Sequence, residues 1–201
     1  MPTPHDIVTF TDDEPPAGES PWVIEPVAAD IAVVSYDESW PVLFMQLEKR
    51  IHKALGARAL EILHVGSTSV PGLAAKPVID IDVIVADPAE EQNWLGNMER
   101  AGFVLTVREP WWHEHRMLKS IEPAGNIHVF GPDAPEPWKH RIFRDHLRRD
   151  ESDREQYAKV KSEAATQSNS VGETVMQYNQ RKHDVIQSIY QRAFAAAGFL
   201  S

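Results

Sequence analysis

The chain has 201 residues, 42% of them hydrophobic and 25% charged, which is typical of one ordinary globular domain with a small appendage. The absence of cysteine excludes disulfides and cysteine-based metal sites, and no stretch approaches the roughly 20 apolar residues of a membrane span. The N-terminus lacks the basic and apolar regions of a signal peptide, so we expect a cytoplasmic protein.

The net charge of −10 is concentrated near the N-terminus. Residues 1–48 contain ten acidic residues and no lysine or arginine, whereas residues 49–201 contain 20 acidic and 20 basic residues. The larger part of the chain is therefore neutral, and its charge neither predicts nor excludes a nucleic-acid partner.

Residues 1–26 are rich in proline and acids and predict a mobile tail, while residues 27–201 predict one domain. The sheet core of this domain is expected to extend to about residue 135. The elements predicted there, in chain order, are a strand at 31–36, a helix at 39–56, strands at 61–65 and 78–85, a helix at 87–101, and strands at 103–107, 116–121 and 126–130.

Residues 136–201 predict a helical region with helices at 138–150, 152–167 and 173–198. Because helices and strands are mixed first and helices follow alone, the order indicates an α/β or α+β core with a helical C-terminal part.

Residues 64–85, HVGSTSVPGLAAKPVIDIDVIV, contain the residue types of a phosphate-binding loop. A P-loop has the spacing G-x-x-x-x-G-K-[ST], but here five residues separate Gly66 from Gly72, and a leucine follows. Lys76 precedes a proline, which disfavours a helix start at that point. The stretch is therefore not a P-loop, and this argues against a simple kinase.

The same residues predict another kind of phosphate site. Gly66 and Ser67 follow a predicted strand, and a turn there offers backbone N–H groups and a hydroxyl to phosphate oxygens. Asp80 and Asp82 are two residues apart in the next strand and therefore point to the same face. Their mutual repulsion favours a cation between them, and Mg²⁺ or Mn²⁺ suits oxygen ligands.

The stretch closely resembles the signature of the GrpB family, also called UPF0157. That family resembles nucleotidyltransferases of the DNA polymerase β type, whose hallmark is Gly-Ser followed by a D-x-D or D-x-E strand. YDESWP (36–41), FRDHLR (143–148) and YNQRKHDVI (178–186) also resemble family blocks, and the resemblance covers roughly residues 30–199. It implies a nucleotidyltransferase-like mixed sheet flanked by helices.

The resemblance implies that Asp80 and Asp82 bind Mg²⁺ and act in catalysis. The superfamily usually adds a third acid on a later strand, but the candidate strand 126–130 supplies His128 instead. His128 can ligate the metal or act as a base whose pKa nearby carboxylates raise; the alternative is that catalysis is weakened or lost. His113 and His115 lie near tryptophans and are expected to be exposed.

The predicted phosphate-binding residues extend beyond the turn. Lys76 can neutralise phosphate charge, and Arg144 falls in a family block. Tyr178 and Lys182 share a helix face, so the ring can stack on a base and the lysine can approach phosphate, with ordinary packing as the alternative. The complete set of predicted nucleotide- or phosphate-binding residues is Gly66, Ser67, Thr68, Lys76, Arg144, Tyr178 and Lys182.

We therefore expect a Mg²⁺-dependent nucleotidyltransferase that moves a nucleoside monophosphate from a nucleoside triphosphate to a hydroxyl acceptor, which the sequence does not identify. The alternative is a non-catalytic nucleotide-binding or accessory module, because some members of the family are fused to dephospho-CoA kinase.

Overall fold

A computed structural model describes residues 1–11 and 15–200 and contains a five-stranded mixed sheet with the strand order β1-β2-β5-β4-β3. Helices flank the sheet and a helical region follows it, so the predicted α+β class is confirmed. The strands are β1 (Glu61–Val65), β2 (Ile79–Ile84), β3 (Val104–Glu109), β4 (His115–Ser120) and β5 (Gly125–Phe130).

The pairing of β2 with both β1 and β5 determines which side chains lie at the candidate site. It runs antiparallel to β1, with Asp80 opposite Val65, and parallel to β5, with Asp82 opposite His128. Since paired residues in neighbouring strands point to the same face, Asp80, Asp82 and His128 share one side of the sheet.

The opposite face of β2 is apolar and belongs to the main core. Ile79, Ile81 and Val83 are fully buried in one cluster with Leu47 and Ile51 of the helix that crosses this face. Successive residues of a strand point to opposite faces, so Ile79, Ile81 and Val83 face the helix and the two aspartates between them face the other side of the sheet.

The helices are α1 (Pro4–Val8), α2 (Trp40–Leu55), α3 (Leu95–Arg100), α4 (Glu136–Arg149), α5 (Glu151–Val171) and α6 (Val175–Ala196). Helix α2 covers the apolar face, whereas Leu147, Tyr157 and Ile189 of the last three helices pack on Val70 and Leu73, in the loop between β1 and β2. The helical region therefore lies beside the acidic side of the sheet. None of the described helices has the length and apolarity needed to cross a bilayer.

The N-terminal segment differs from the mobile tail predicted for residues 1–26. Thr3 and Asp6 form a capping box at α1, and Ile7 is buried in a cluster with Tyr190 and Phe194 of α6. Farther along, Trp22 pairs with Val107 of β3 in an isolated antiparallel bridge. The few apolar residues of this segment therefore pack against the folded domain. Residues 12–14 lie outside the described part of the chain.

Two predicted elements are shorter than expected. The strand predicted at 31–36 is only an isolated bridge between Val34 and Ala75, because Pro77 cannot donate to a continued ladder. The helix predicted at 87–101 is reduced to a turn at Glu91–Asn93 followed by α3. At its expected start, the Asp87 carboxylate accepts a hydrogen bond from the N–H of Ala89, and the resulting turn competes with helix formation.

Candidate functional site

The carboxylate of Asp80 lies against the turn that ends β1. Gly66 has a φ of +66° and a ψ of −172°, a conformation that is essentially restricted to glycine. A Cβ atom at this position would lie 2.9 Å from Asp80 Cβ and closer still to Asp80 Oδ2. The structure therefore brings the predicted phosphate turn and the first predicted metal ligand into contact, and glycine is required for that approach.

Asp82 is fully buried, and its two oxygens have different surroundings. Oδ2 lies 2.9 Å from His140 Nδ1 on α4, whereas Oδ1 has no hydrogen-bond partner in the described part of the chain. Burial by itself lowers the pKa of His140, but the charge and hydrogen bond of Asp82 raise it to about 9. A protonated His140 therefore compensates Asp82 on one side only.

Asp80 also has one oxygen without a hydrogen bond. Asn126 Nδ2 donates to Asp80 Oδ1 at 2.9 Å, and no described residue donates to Oδ2. Burial raises the pKa of Asp80, against the opposing effects of Asn126 and Lys76. Two carboxylates on one strand face, each with an open oxygen, fit the oxygen ligands that a hard divalent cation requires.

His128 belongs to a chain of hydrogen bonds with one residue on β3 and one on β4. His115 Nδ1 lies 2.7 Å from Glu109 Oε2, and His115 Nε2 lies 3.0 Å from His128 Nδ1. Because the carboxylate can only accept, His115 Nδ1 carries a proton; with both rings neutral, His128 Nδ1 donates to His115. The lone pair of His128 Nε2 is then unoccupied by any described hydrogen-bond partner.

Two expectations about these histidines are wrong. Burial, assisted by His115, lowers the pKa of His128 to about 3 and outweighs the charge of Asp82, which acts in the opposite sense. His115 is buried rather than exposed, because it begins β4 opposite Glu109. His115 and Glu109 are functional candidates that the sequence interpretation missed, since only the strand register brings them to His128.

His140 was also missed, although a weak sequence signal exists. It stands four residues before Arg144 on the same helix and thus on the same face. Both residues line a cavity of about 200 Å³ at the Gly66–Ser67 turn, together with Tyr157. Arg144 Nη1 donates a hydrogen bond of 2.9 Å to the backbone oxygen of His64 in β1. Arg144 therefore also holds the strand that leads to the turn.

Thr68 and Tyr178 both have packing or hydrogen-bond partners within the protein. Thr68 is buried with its hydroxyl 3.1 Å from His64 Nε2, so it stabilises the turn and is not among the residues that line this cavity. Tyr178 is 1% exposed, and the Nζ atoms of Lys182 and Lys76 lie 3.9 and 5.3 Å from its ring centroid. Its ring is packed and covered by cations, which agrees with the packing alternative and not with base stacking.

A second cluster of possible metal ligands has a structural explanation. His146, Asp150 and Asp153 lie close together at the start of α5. Asp153 accepts hydrogen bonds from Arg192 and His146, while Asp150 caps the helix. These carboxylates already have partners, in contrast to Asp82 Oδ1.

The chain is an α+β protein with two carboxylates on one face of an interior strand of a mixed sheet, beside a glycine turn. The family model for the GrpB protein matches residues 30–192, and the chain belongs to this family. A UPF0157 protein of Halalkalibacterium halodurans is 42% identical over 172 residues, covering 86% of this chain and 87% of the relative. The crystal structure of conserved protein GrpB from Enterococcus faecalis has a TM-score of 0.73 at 26% identity and covers 83% of this chain and 99% of that one.

More distant similarity connects the chain with larger proteins. A dephospho-CoA kinase of Mycolicibacterium paratuberculosis is 29% identical over 163 residues. The match covers 68% of this chain but only 40% of that protein.

The contact between Gly66 and Asp80 predicts the effect of a single methyl group. Gly66→Ala should lower the free energy of unfolding by about 1–3 kcal/mol more than Gly72→Ala, because the added methyl overlaps Asp80. Gly72 is the matched control, since it also has a positive φ but no atom within 4 Å of an added Cβ. Urea denaturation measures both losses. In an Asp80→Ala background the extra loss at Gly66 should shrink, and an unchanged loss would contradict the contact.

The hydrogen-bond chain predicts the tautomer of His128. At pH 7 its ring should be neutral, with the proton on Nδ1 and none on Nε2. Long-range ¹H–¹⁵N NMR of histidine-labelled protein, assigned with His128→Gln, reports both nitrogens. Because burial lowers the pKa to about 3, the ring should stay neutral as the pH falls to 5. A proton on Nε2 at pH 7, or a charged ring near pH 6, would contradict this arrangement.

Proposed function

We propose that this protein is a Mg²⁺- or Mn²⁺-dependent nucleotidyltransferase that moves a nucleoside monophosphate from a nucleoside triphosphate to a hydroxyl acceptor. The observation that carries the proposal is the pair Asp80 and Asp82 on one face of β2, beside the Gly66 turn, with Asp82 Oδ1 buried and without a donor in the described part of the chain. A buried carboxylate oxygen without a donor, such as Asp82 Oδ1, is costly unless a ligand compensates it.

The proposed metal ligands are Asp80 Oδ2 and Asp82 Oδ1. A bound divalent ion supplies positive charge that offsets the phosphate charge and the repulsion between the two carboxylates. His128 is the register partner of Asp82 and adds a neutral nitrogen to the same side of the sheet. The Gly66–Ser67 turn and Arg144 line one cavity, and the proposal assigns them the orientation of the phosphates.

The proposed reaction has one bond-forming and one bond-breaking event. The acceptor oxygen bonds to the α-phosphorus, the bond from that phosphorus to the bridging oxygen breaks, and pyrophosphate leaves. The hydroxyl proton passes to His128 Nε2, and the proton on His128 Nδ1 shifts to His115 Nε2. The hydrogen-bond chain that carries this proton ends at the Glu109 carboxylate, 2.7 Å from His115 Nδ1.

A non-catalytic nucleotide-binding or accessory module is the second candidate. The protonated His140 already compensates part of the charge of Asp82 without a metal, which favours this alternative. The similarity to part of a dephospho-CoA kinase supports it as well, because that match covers less than half of the larger protein.

Nucleotide binding with and without the metal separates the two functions. Calorimetry with a panel of nucleoside triphosphates should show at least about tenfold tighter binding, or 1.4 kcal/mol, in Mg²⁺ than in EDTA for the best nucleotide. Asp80→Asn and Asp82→Asn should abolish this gain because each removes a charged ligand. Asp184→Asn, an exposed change on α6, is the matched control and should retain the gain.

Two results would contradict the proposal. Equal nucleotide affinity in Mg²⁺ and EDTA would favour the accessory module. A metal-dependent gain that survives in both Asp80→Asn and Asp82→Asn would place the metal elsewhere.

A further inference from the structure

Three lysines from three different segments converge near Asp80. Lys76 lies in the loop before β2, Lys161 on α5 and Lys182 on α6. Lys161 and Lys182 are only 2% and 6% exposed. Lys182 and Lys76 both contact the ring of Tyr178, with their ammonium nitrogens at 3.9 and 5.3 Å from its centroid.

These lysines lack the acidic partners that buried cations usually have. In the described part of the chain, no carboxylate oxygen lies within 4.0 Å of any of the three ammonium nitrogens. Lys161 Nζ donates to the backbone oxygen of Ala74, and Lys182 and Lys76 make only ring contacts. Burial and mutual repulsion lower the pKa of Lys161 and of Lys182 to about 7.

Lys139 shows how the same chain buries a lysine for structural purposes. It is fully buried, but its ammonium group is ion-paired with Glu136 and donates to the backbone oxygen of Thr9. The three lysines near Asp80 have no such carboxylate. With all three lysines protonated, one carboxylate leaves an excess of positive charge in a largely buried space, and an anionic ligand would favour that protonated state.

We propose that Lys76, Lys161 and Lys182 form a binding site for a chain of two or three phosphates that does not require a metal ion. Lysine ammonium groups act as point charges for phosphate oxygens, and three of them match the multiple charges of a polyphosphate better than a single carboxylate. The role of this site in the reaction rests on the proposed function: the site holds the β- and γ-phosphates of the nucleotide and then the leaving pyrophosphate. Asp80, whose side chain touches Gly66, contributes a negative charge that raises the pKa of all three lysines against the effect of burial.

Calorimetry with inorganic tripolyphosphate in EDTA tests this site directly. Lys161→Met and Lys182→Met should each weaken binding by about tenfold or more, because each removes one charge–phosphate contact. Lys159→Met is the matched control: Lys159 lies on the same helix as Lys161, its side chain is 76% exposed, and its loss should change affinity less than about twofold. Sulfate at equal ionic strength controls for screening.

A stability measurement distinguishes a ligand site from a structural role. Without ligand, Lys182→Met should unfold at the same temperature as the parent protein or a higher one, because an unpaired buried charge is replaced by an apolar chain of similar length. Tripolyphosphate should raise the unfolding temperature of the parent protein and not that of Lys182→Met. A large loss of stability in the variant without ligand would instead show that the lysine is structural.

The outcomes separate this site from the proposed function. Asp80→Asn should abolish the metal-dependent gain in nucleotide binding but strengthen tripolyphosphate binding in EDTA, because it removes a nearby negative charge. Tripolyphosphate binding that is no tighter than sulfate binding, or that is unaffected by Lys161→Met and Lys182→Met, would overturn the polyphosphate site. The nucleotidyltransferase proposal fails on a different result, namely nucleotide affinity that is indifferent to Mg²⁺.

Discussion

Two carboxylates on one face of the interior strand β2, Asp82 fully buried and Asp80 partly buried, determine which charges the neighbouring elements must supply. Asp82 is fully buried and Asp80 lies against the Gly66 turn, so neither charge is freely hydrated. The register of β2 with β1 and β5 sets this arrangement, and the apolar face that packs on α2 keeps the strand in that register. The surrounding structure must compensate this negative charge, and each neighbouring element contributes to the compensation.

The three C-terminal helices each direct one basic group toward the two carboxylates. Helix α4 supplies His140, hydrogen-bonded to Asp82, while α5 and α6 supply Lys161 and Lys182, whose charges interact with Asp80. The helical region is therefore part of the site and not only a cover for the sheet. On the other side, β4 and β3 support His128 through His115 and Glu109. Basic groups and the neutral ring of His128 thus surround the acidic pair, with the rings of His128 and His140 6.3 Å apart.

The local pattern of the sequence is sufficient to predict the fold class and the placement of Asp80 and Asp82 beside the Gly66 turn. The two-residue spacing of Asp80 and Asp82 predicts a shared face, and the glycine after β1 predicts a tight turn, because both depend only on neighbouring residues. His115 and Lys161 depend on strand register and helix packing, which join residues far apart in the chain. The pKa of His128 was predicted in the wrong direction because burial, which a single sequence does not show, outweighs the nearby carboxylate.

The role of Asp80 and Asp82 as metal ligands can be observed in a complex. Crystals of the protein grown with Mn²⁺ and a non-hydrolysable nucleoside triphosphate analogue would locate the ion by its anomalous scattering. We expect one Mn²⁺ peak within about 2.0–2.6 Å of oxygens of both Asp80 and Asp82, with the terminal phosphates toward Lys161 and Lys182. A bound nucleotide with no Mn²⁺ at these carboxylates, and with His140 still hydrogen-bonded to Asp82 in the same way, would contradict it.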